Sequence, residues 1–369
     1  MAISEFDRIH GAWMGMIAGN NNGLFFENKY GRDALFGERI DGILTSIHRD
    51  KHTTWAFNVY DILLRFGSMV DDDTIMEWLL VEEILTQGRL PSHRELGMSW
   101  VNNLNYRNFG EGRFALEQFE RGIFPPHHLD DDSGLTFTEH SKDWGICAQI
   151  YLEMLGLLLH KTPERIREVA LYYASMTNRQ EGCEAAVYSI AMQAAAMWAK
   201  DVSEVIDYGL SLMDADTFCA KQMCRARDLA LSHEDWHVAR NAFLDELPKH
   251  YMADAIPNCG IVTMALIYGK GSFEDTMSLV IEMGYDTDCT ASTVGGILGA
   301  MIGESHIPGS WKDLLLGTFN NMIWDKWDNC QRYDKYAWLL PESIKIDELA
   351  RRTQTALHLV SDSGAALPD

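Results

Sequence analysis

Glycines recur every fourth residue near the start of the chain, at Gly11, Gly15 and Gly19. On a helix, residues four apart lie on one face, so these positions form a row without side chains. Apolar residues at helical spacing, such as Trp13, surround the row. We therefore predict a helix against which another backbone can pack closely, and the turn-forming segment Asn20–Gly23 predicts its end.

Helical periodicity continues through most of the chain, and no sustained alternation typical of strands occurs. Further helices are predicted over residues 75–85, 147–159, 163–174, 183–199, 202–213, 257–268, 273–283, 290–301 and 344–359. Leu90–Arg107 and Gly122–His140 are rich in turn residues and are predicted to be long loops. The pattern predicts an all-α fold, a single orthogonal helical bundle in which residues 1–369 form one domain.

Composition restricts the compartment and the partners. The chain has 31 Lys and Arg against 54 Asp and Glu, a formal charge of −23, which repels nucleic acid and anionic membranes and attracts cations. Its seven cysteines contain no C-x-x-C pair, as is typical of reduced thiols. Uncharged runs are shorter than the roughly 20 residues of a membrane span, and no signal-peptide pattern precedes them. We expect a cytoplasmic protein that binds neither nucleic acid nor membrane; the oligomeric state stays open.

Three consecutive aspartates, Asp71, Asp72 and Asp73, open one of the predicted helices. Aspartate is favoured at an N-cap and in the first turn, where the helix macrodipole contributes ~0.3–1 kcal/mol per carboxylate. One carboxylate satisfies that preference, whereas three within a few ångströms repel one another unless a cation offsets them. The cluster is therefore either a helix start with excess charge or half of a metal site.

Asp286 and Asp288 stand at a second junction between a loop and a helix, and the helix that follows carries no charge over residues 290–301. Such a helix is predicted to be buried, so its N-terminus points into the molecule. Two carboxylates in that position need a cation partner. Oxygen ligands without a cluster of His or Cys suit Mg²⁺, Mn²⁺ or Ca²⁺ and not zinc.

At these motifs the chain resembles the ADP-ribosylglycohydrolases. Three segments are similar, in order, to three motifs of that family: the glycine-spaced helix followed by Gly23 and Glu27, the helix start Asp71–Thr74, and Gly284–Ala291. The resemblance implies an all-α bundle that holds two divalent cations, Mg²⁺ or Mn²⁺. It also implies hydrolysis of an N- or O-glycosidic bond to ADP-ribose or a related ribosyl group, in a small-molecule or protein-linked substrate.

The resemblance is strongest over residues 5–315 and does not place residues 28–66 and 316–369. It assigns metal binding to Asp71, Asp72, Asp73, Asp286, Asp288 and Cys289, catalysis to Glu27, Asp72 and Asp73, and substrate contacts to Asn20, Tyr285, Gln149 and Asn178. Cys289 stands where the family has a threonine ligand, and a thiol is a poor ligand for a hard cation.

Two alternatives fit parts of the sequence. His233, Glu234 and His237 spell the H-E-x-x-H string of zinc metalloproteases, which requires both histidines on one helix face. Charged and polar neighbours such as Asp235 favour a solvated helix face instead. The other alternative is a family scaffold that has lost catalysis and serves as a binding or structural protein. Retention of Glu27 and the aspartates argues against it, because unneeded buried charge is destabilising.

Overall fold

The structure, a computed structural model, describes residues 3–27, 39–42, 67–68, 72–104, 110–130, 139–320, 340–341 and 343–368. Within these ranges it is helical apart from one sheet of two short strands, which confirms the predicted all-α fold. Asp71 and the side chain of Asp72 lie outside the described part. No helix found in these ranges combines the length and the apolar character that crossing a membrane requires.

The helices of the first half are α1 (Glu5–Gly23), α2 (Asp72–Gln87), α3 (His93–Asn103), α4 (Gly110–Glu120), α5 (Glu139–Trp144), α6 (Cys147–Ile150), α7 (Met154–Leu159), α8 (Ile166–Ala174) and α9 (Gln180–Ala195). Those of the second half are α10 (Val202–Leu212), α11 (Phe218–Ser232), α12 (Trp236–Glu246), α13 (Ala255–Gly269), α14 (Phe273–Glu282), α15 (Thr287–Ile302), α16 (Gly309–Lys312) and α17 (Ile346–Asp362). The strands β1 (Thr318–Asn320) and β2 (Ser343–Lys345) pair antiparallel just before α17.

Helices α1 and α15 pack backbone against backbone. A Cβ atom on Gly11 would clash with the carbonyl oxygen of Gly299, and one on Gly15 with that of Gly295. The same contact repeats between Gly19 and Ala291, so the two helices run antiparallel over several turns. α15 is buried along nearly its whole length. The predicted close approach to the glycine row and the predicted burial of the uncharged helix are thus confirmed.

This antiparallel packing places the end of α1 beside the start of α15. The Thr287 hydroxyl donates to the Gly23 carbonyl oxygen at 2.9 Å. Residues that follow α1 therefore lie next to the residues that begin α15. α1 extends to Gly23, so the predicted helix end at Asn20 is wrong by one turn.

The last helix, α17, fixes α1 and α2 from the outside. The indole nitrogen of Trp13 on α1 donates to the Thr353 hydroxyl at 2.8 Å. Arg352 forms an ion pair with Glu82 on α2, in which its Nε donates at 2.6 Å. The helix that opens with the aspartate cluster is thereby held against the glycine-row helix.

Two local predictions are wrong. The loop predicted over Leu90–Arg107 contains α3, which begins with a capping box: Ser92 and Glu95 each bond the other's backbone N–H. Such reciprocal capping satisfies N–H groups that an isolated turn would leave open. The single helix predicted over residues 147–159 is two short helices, α6 and α7. In the second predicted loop, residues 121–130 form turns, residues 131–138 lie outside the described part, and α5 begins at Glu139.

Candidate metal centre

Asp73, in the first turn of α2, is 2% exposed and points towards the junction of α1 and α15. Its Oδ2 accepts the amide of Asn20 at 3.4 Å, and its Oδ1 accepts the thiol of Cys289 at 3.6 Å. Potential ligand atoms of Asp73, Asp288 and Cys289 lie within 4.8 Å of one another. The structure thus brings together residues from the two predicted clusters, which are over 200 positions apart in the sequence.

A second group joins the segment after α1 to the start of α15. Carboxylate oxygens of Glu27, Asp286 and Asp288 also lie within 4.8 Å of one another. Asp286 and Asp288 are each 5% exposed, whereas Glu27 is half-buried. Asp288 belongs to both groups and therefore links them.

The donor set fits a hard divalent cation. Four carboxylates converge in a largely buried region, and ionised carboxylates in that setting need cation partners. Their oxygens are the ligands that Mg²⁺, Mn²⁺ and Ca²⁺ prefer. The Cys289 sulfur is a soft atom and a poor ligand for such a cation. Its thiol donates a hydrogen bond to Asp73, which is itself a candidate metal ligand. These acidic clusters can therefore hold metal ions, as the sequence predicted.

The loop before α15 is held by α13. The backbone N–H of Asp286 donates to Asn258 Oδ1 at 3.2 Å. The same Asn258 side chain donates to the carbonyl oxygens of Met252 and Asp254, at 2.7 and 2.8 Å. One buried amide thus ties the Asp286 backbone to the start of α13. This bond fixes the position of Asp286, the first of the two aspartates at the start of α15.

Tyr285 sits beside this loop in a left-handed backbone conformation, with φ of 70°. It is 4% exposed, and its hydroxyl lies 2.7 Å from Nε2 of His250. The guanidinium of the buried Arg240 lies 5.7 Å from the centre of the Tyr285 ring, and its Nε donates to the carbonyl oxygen of Met283 at 2.8 Å. A β-carbon in this region of φ is strained, so these contacts must hold the residue in place.

Comparison with known proteins identifies the family. The family model described as ADP-ribosylglycohydrolase matches residues 1–345. The chain belongs to the ADP-ribosylglycohydrolase family. Among solved structures, a chain of an "ADP-ribosylglycohydrolase-related protein complex" matches with a TM-score of 0.55 and 18% identity, over 95% of this chain and 97% of that one. At that identity the likeness shows the fold. None of the curated proteins compared matches the sequence.

Two predicted substrate contacts lie outside both ligand groups. Gln149, on α6, is fully buried, and its Oε1 accepts the thiol of Cys259 at 3.1 Å. Asn178 accepts the N–H of Ala148 at 2.8 Å and donates to the carbonyl oxygen of Gly145 at 3.0 Å. Asn178 therefore fixes the start of α6, and a substrate contact by either residue stays a prediction.

The structure does not form the helix that the zinc-protease alternative requires. α11 ends at Ser232 and α12 begins at Trp236, so His233 and His237 do not share a helix. Asp235 caps α12 and accepts the backbone N–H of His237 at 2.9 Å. The H-E-x-x-H string therefore spans a helix break, and the face that a zinc site requires does not form.

The sequence did not predict two buried acids next to the candidate metal centre. Glu77 on α2 is fully buried, one helical turn after Asp73. Glu153, just before α7, is 2% exposed, and its Oε1 lies 2.5 Å from the Thr293 hydroxyl on α15. The available signal was a glutamate with apolar neighbours on both sides in each of two helical segments.

Replacing Cys289 with threonine is expected to keep the fold and to retain or improve Mg²⁺ affinity. Threonine keeps a donor for Asp73 and supplies a hard oxygen in place of sulfur, so we expect binding within about threefold of wild type or tighter. Cys289→Val is the matched control, because it has the same shape as threonine and no donor. Calorimetric titration with Mg²⁺ should rank threonine above valine. Loss of folding in Cys289→Thr would instead show that Cys289 is a core residue.

Proposed function

We propose that this chain is a divalent-metal-dependent glycohydrolase that cleaves an N- or O-glycosidic bond to ADP-ribose or a related ribosyl group. Membership of the ADP-ribosylglycohydrolase family supports the reaction class. The observation that carries the proposal is the convergence of Glu27, Asp73, Asp286 and Asp288 in two ligand groups that share Asp288. Three separate segments supply these carboxylates, and a purely structural role would not require their mutual repulsion.

Two Mg²⁺ or Mn²⁺ ions are the proposed cofactors. Asp73, Asp288 and Cys289 would contribute to one site, and Asp286 and Asp288 to the other, with Asp71 and Asp72 completing the set from the start of α2. A bound divalent cation supplies Lewis acidity that orients sugar hydroxyls and lowers the pKa of a coordinated water.

Glu27 is the proposed residue for proton transfer at the glycosidic oxygen or nitrogen. It is the most exposed member of the two groups and lies next to Asp286 and Asp288, so it can reach a ligand while its neighbours remain buried. Asp72 and Asp73 are proposed to orient the attacking water and accept its proton. Asn20 donates to Asp73, and Tyr285 flanks Asp286; we propose that both line the ribosyl subsite.

We place the protein in the cytoplasm, where a small-molecule or protein-linked ribosylated substrate would be met. None of the six cysteines of the described ranges forms a disulfide there, and five of them are buried, which suits a reducing compartment. The charge of −23 makes nucleic acid and anionic membranes unfavourable partners.

The test is a calorimetric titration of the whole chain with Mg²⁺ and with Mn²⁺, each with and without ADP-ribose, followed by a hydrolysis screen. The proposal predicts metal binding, ADP-ribose affinity that depends on metal, and release of ADP-ribose from at least one ribosylated substrate. Metal binding without ADP-ribose affinity would direct the screen to other ribosides and overturn the ADP-ribosyl assignment. No metal binding would overturn the proposal in favour of a scaffold that has lost catalysis.

A further inference from the structure

Behind the candidate metal centre, a buried carboxyl group joins the two helices that carry the ligands. Glu153, immediately before α7, is 2% exposed, and its Oε1 lies 2.5 Å from the Thr293 hydroxyl. Thr293 lies one turn after Cys289 on α15, and its hydroxyl is also 3.1 Å from the Cys289 carbonyl oxygen. Glu153 thus contacts α15 one helical turn after Cys289.

Glu77 makes the corresponding connection from α2. Its Oε2 accepts the backbone N–H of Met154 at 3.0 Å, at the start of α7. Asp73 and Glu77 are four residues apart, so they share one face of α2. The start of α7 therefore contacts both ligand-bearing helices, one through Glu77 and the other through Glu153 and Thr293.

The hydrogen-bond geometry favours a proton on Glu153. The Thr293 hydroxyl has one hydrogen, and it lies within hydrogen-bond distance of two oxygens. The Cys289 carbonyl oxygen can only accept, so an ionised Glu153 and Cys289 would have to share the single Thr293 hydrogen in a three-centre bond. A protonated Glu153 can instead donate to Thr293 while Thr293 donates to Cys289. In the described ranges no ion pair involves Glu153. Burial accordingly raises the pKa of Glu153 to about 8, and the pKa of Glu77 lies well above its usual range through burial and the neighbouring Glu153.

We propose that Glu153, in its neutral form, is a positioning residue that fixes the metal-binding start of α15 through Thr293. The inference rests on the proposed metal centre: Glu153 and Thr293 would hold the backbone that carries its ligands in position. Groups behind metal ligands typically change affinity by 10–100-fold when removed, because the ligands must be held near their bound geometry. A neutral carboxyl is suited to this place, since an additional charge would oppose the ligand carboxylates.

The test compares four variants of the whole chain by calorimetric titration with Mg²⁺ alone. Thr293→Val removes only the hydroxyl, whereas Thr293→Ser retains it; Glu153→Leu removes the carboxyl, whereas Glu153→Gln retains a donor and an acceptor. We expect the valine and leucine variants to bind Mg²⁺ about 10–100-fold more weakly, and the serine and glutamine variants to match wild type. Thr263→Val is the control, because Thr263 is equally buried and bonds the carbonyl four residues earlier on α13.

A pH series separates positioning from general structural support. Glu77 on α2 and Cys259 on α13 are the titratable groups that face Glu153. As the pH rises through about 8, wild type should lose Mg²⁺ affinity relative to Glu153→Gln, because Glu153 ionises and then competes with Cys289 for the Thr293 hydrogen. The folded-state pKa lies above the ordinary value of 4.5, so wild-type stability relative to Glu153→Gln should also fall between these two pH values.

Each outcome has a defined meaning. Folded Thr293→Val with wild-type Mg²⁺ affinity overturns the inference, even if Glu153→Leu does not fold. Weaker Mg²⁺ binding by wild type than by Glu153→Gln already at pH 6.5 overturns the neutral form of Glu153, because a neutral Glu153 and its glutamine variant should bind equally at that pH. If wild type binds no Mg²⁺, both the inference and the proposed metal centre are wrong. If the variants behave as expected but no ribosylated substrate is cleaved, only the proposed reaction is wrong.

Discussion

Replacing Asp288 with asparagine is expected to abolish hydrolysis and to weaken Mg²⁺ binding at both ligand groups at once. Asp288 is the one residue of the described ranges that both groups share, so its charge contributes to both. Loss of several kcal/mol of transition-state stabilisation corresponds to a fall in rate of roughly a thousandfold or more. Steady-state kinetics and calorimetric Mg²⁺ titration of Asp288→Asn would measure the two effects.

The fold should survive this substitution, because asparagine is nearly isosteric and removes one of several crowded negative charges. In metal-free buffer we expect a melting temperature equal to or above that of wild type, and the increase on adding Mg²⁺ should disappear. Asp201→Asn is the matched control, since Asp201 caps α10 and asparagine is an equally good N-cap. Wild-type activity and affinity in Asp288→Asn would remove this centre from the mechanism.

Replacing Gly295 with alanine is expected to destabilise the protein, because α1 leaves no room for a methyl group at this position of α15. The new Cβ would clash with the carbonyl oxygen of Gly15, which is backbone and cannot rotate away. Alanine has about 1 kcal/mol better helix propensity than glycine, but overpacking a rigid contact costs about 3 kcal/mol or more, so the clash decides the sign. Urea denaturation followed by circular dichroism would measure the loss.

The neighbouring residue provides the control. A Cβ on Gly296 would meet the side-chain oxygen of Gln193 at 3.1 Å, and a flexible side-chain end can shift. Gly296→Ala should therefore leave stability unchanged or raise it by up to about 1 kcal/mol. Equal stability of the two variants would show that α1 and α15 can separate without cost, and would contradict the backbone packing.

The architecture could be predicted because helical periodicity and the glycine row are local signals. Gly11, Gly15 and Gly19 predict a close helix partner, and the uncharged run after Asp288 predicts a buried helix; the structure pairs the two. The wrong predictions concern helix boundaries that depend on capping interactions and on tertiary contacts. Ser92 and Glu95 start α3 inside a segment that looked like a loop. The break between α6 and α7 is likewise invisible in an apolar run.

For the site, sequence indicated the carboxylates but not their surroundings. Asp73 and Asp288 could be identified because each lies in a cluster with more carboxylates than a helix start requires. The hydrogen bond from Cys289 to Asp73 could not be predicted, since it depends on how α2 meets α15. Glu153 was missed for a related reason: a single glutamate in an apolar segment resembles a surface residue until its burial is known.

The pairing of α1 with α15 has a consequence during synthesis. About 280 residues separate Gly15 from Gly295 in the chain. At 5–20 residues per second, a ribosome needs roughly 15–55 s to reach the second glycine after the first. Throughout that interval the face of α1 that ends beside Glu27 has no partner, and contacts of such long sequence separation form slowly. The residues of the candidate metal centre therefore come together late, and this face of α1 stays without its partner until α15 has been synthesised.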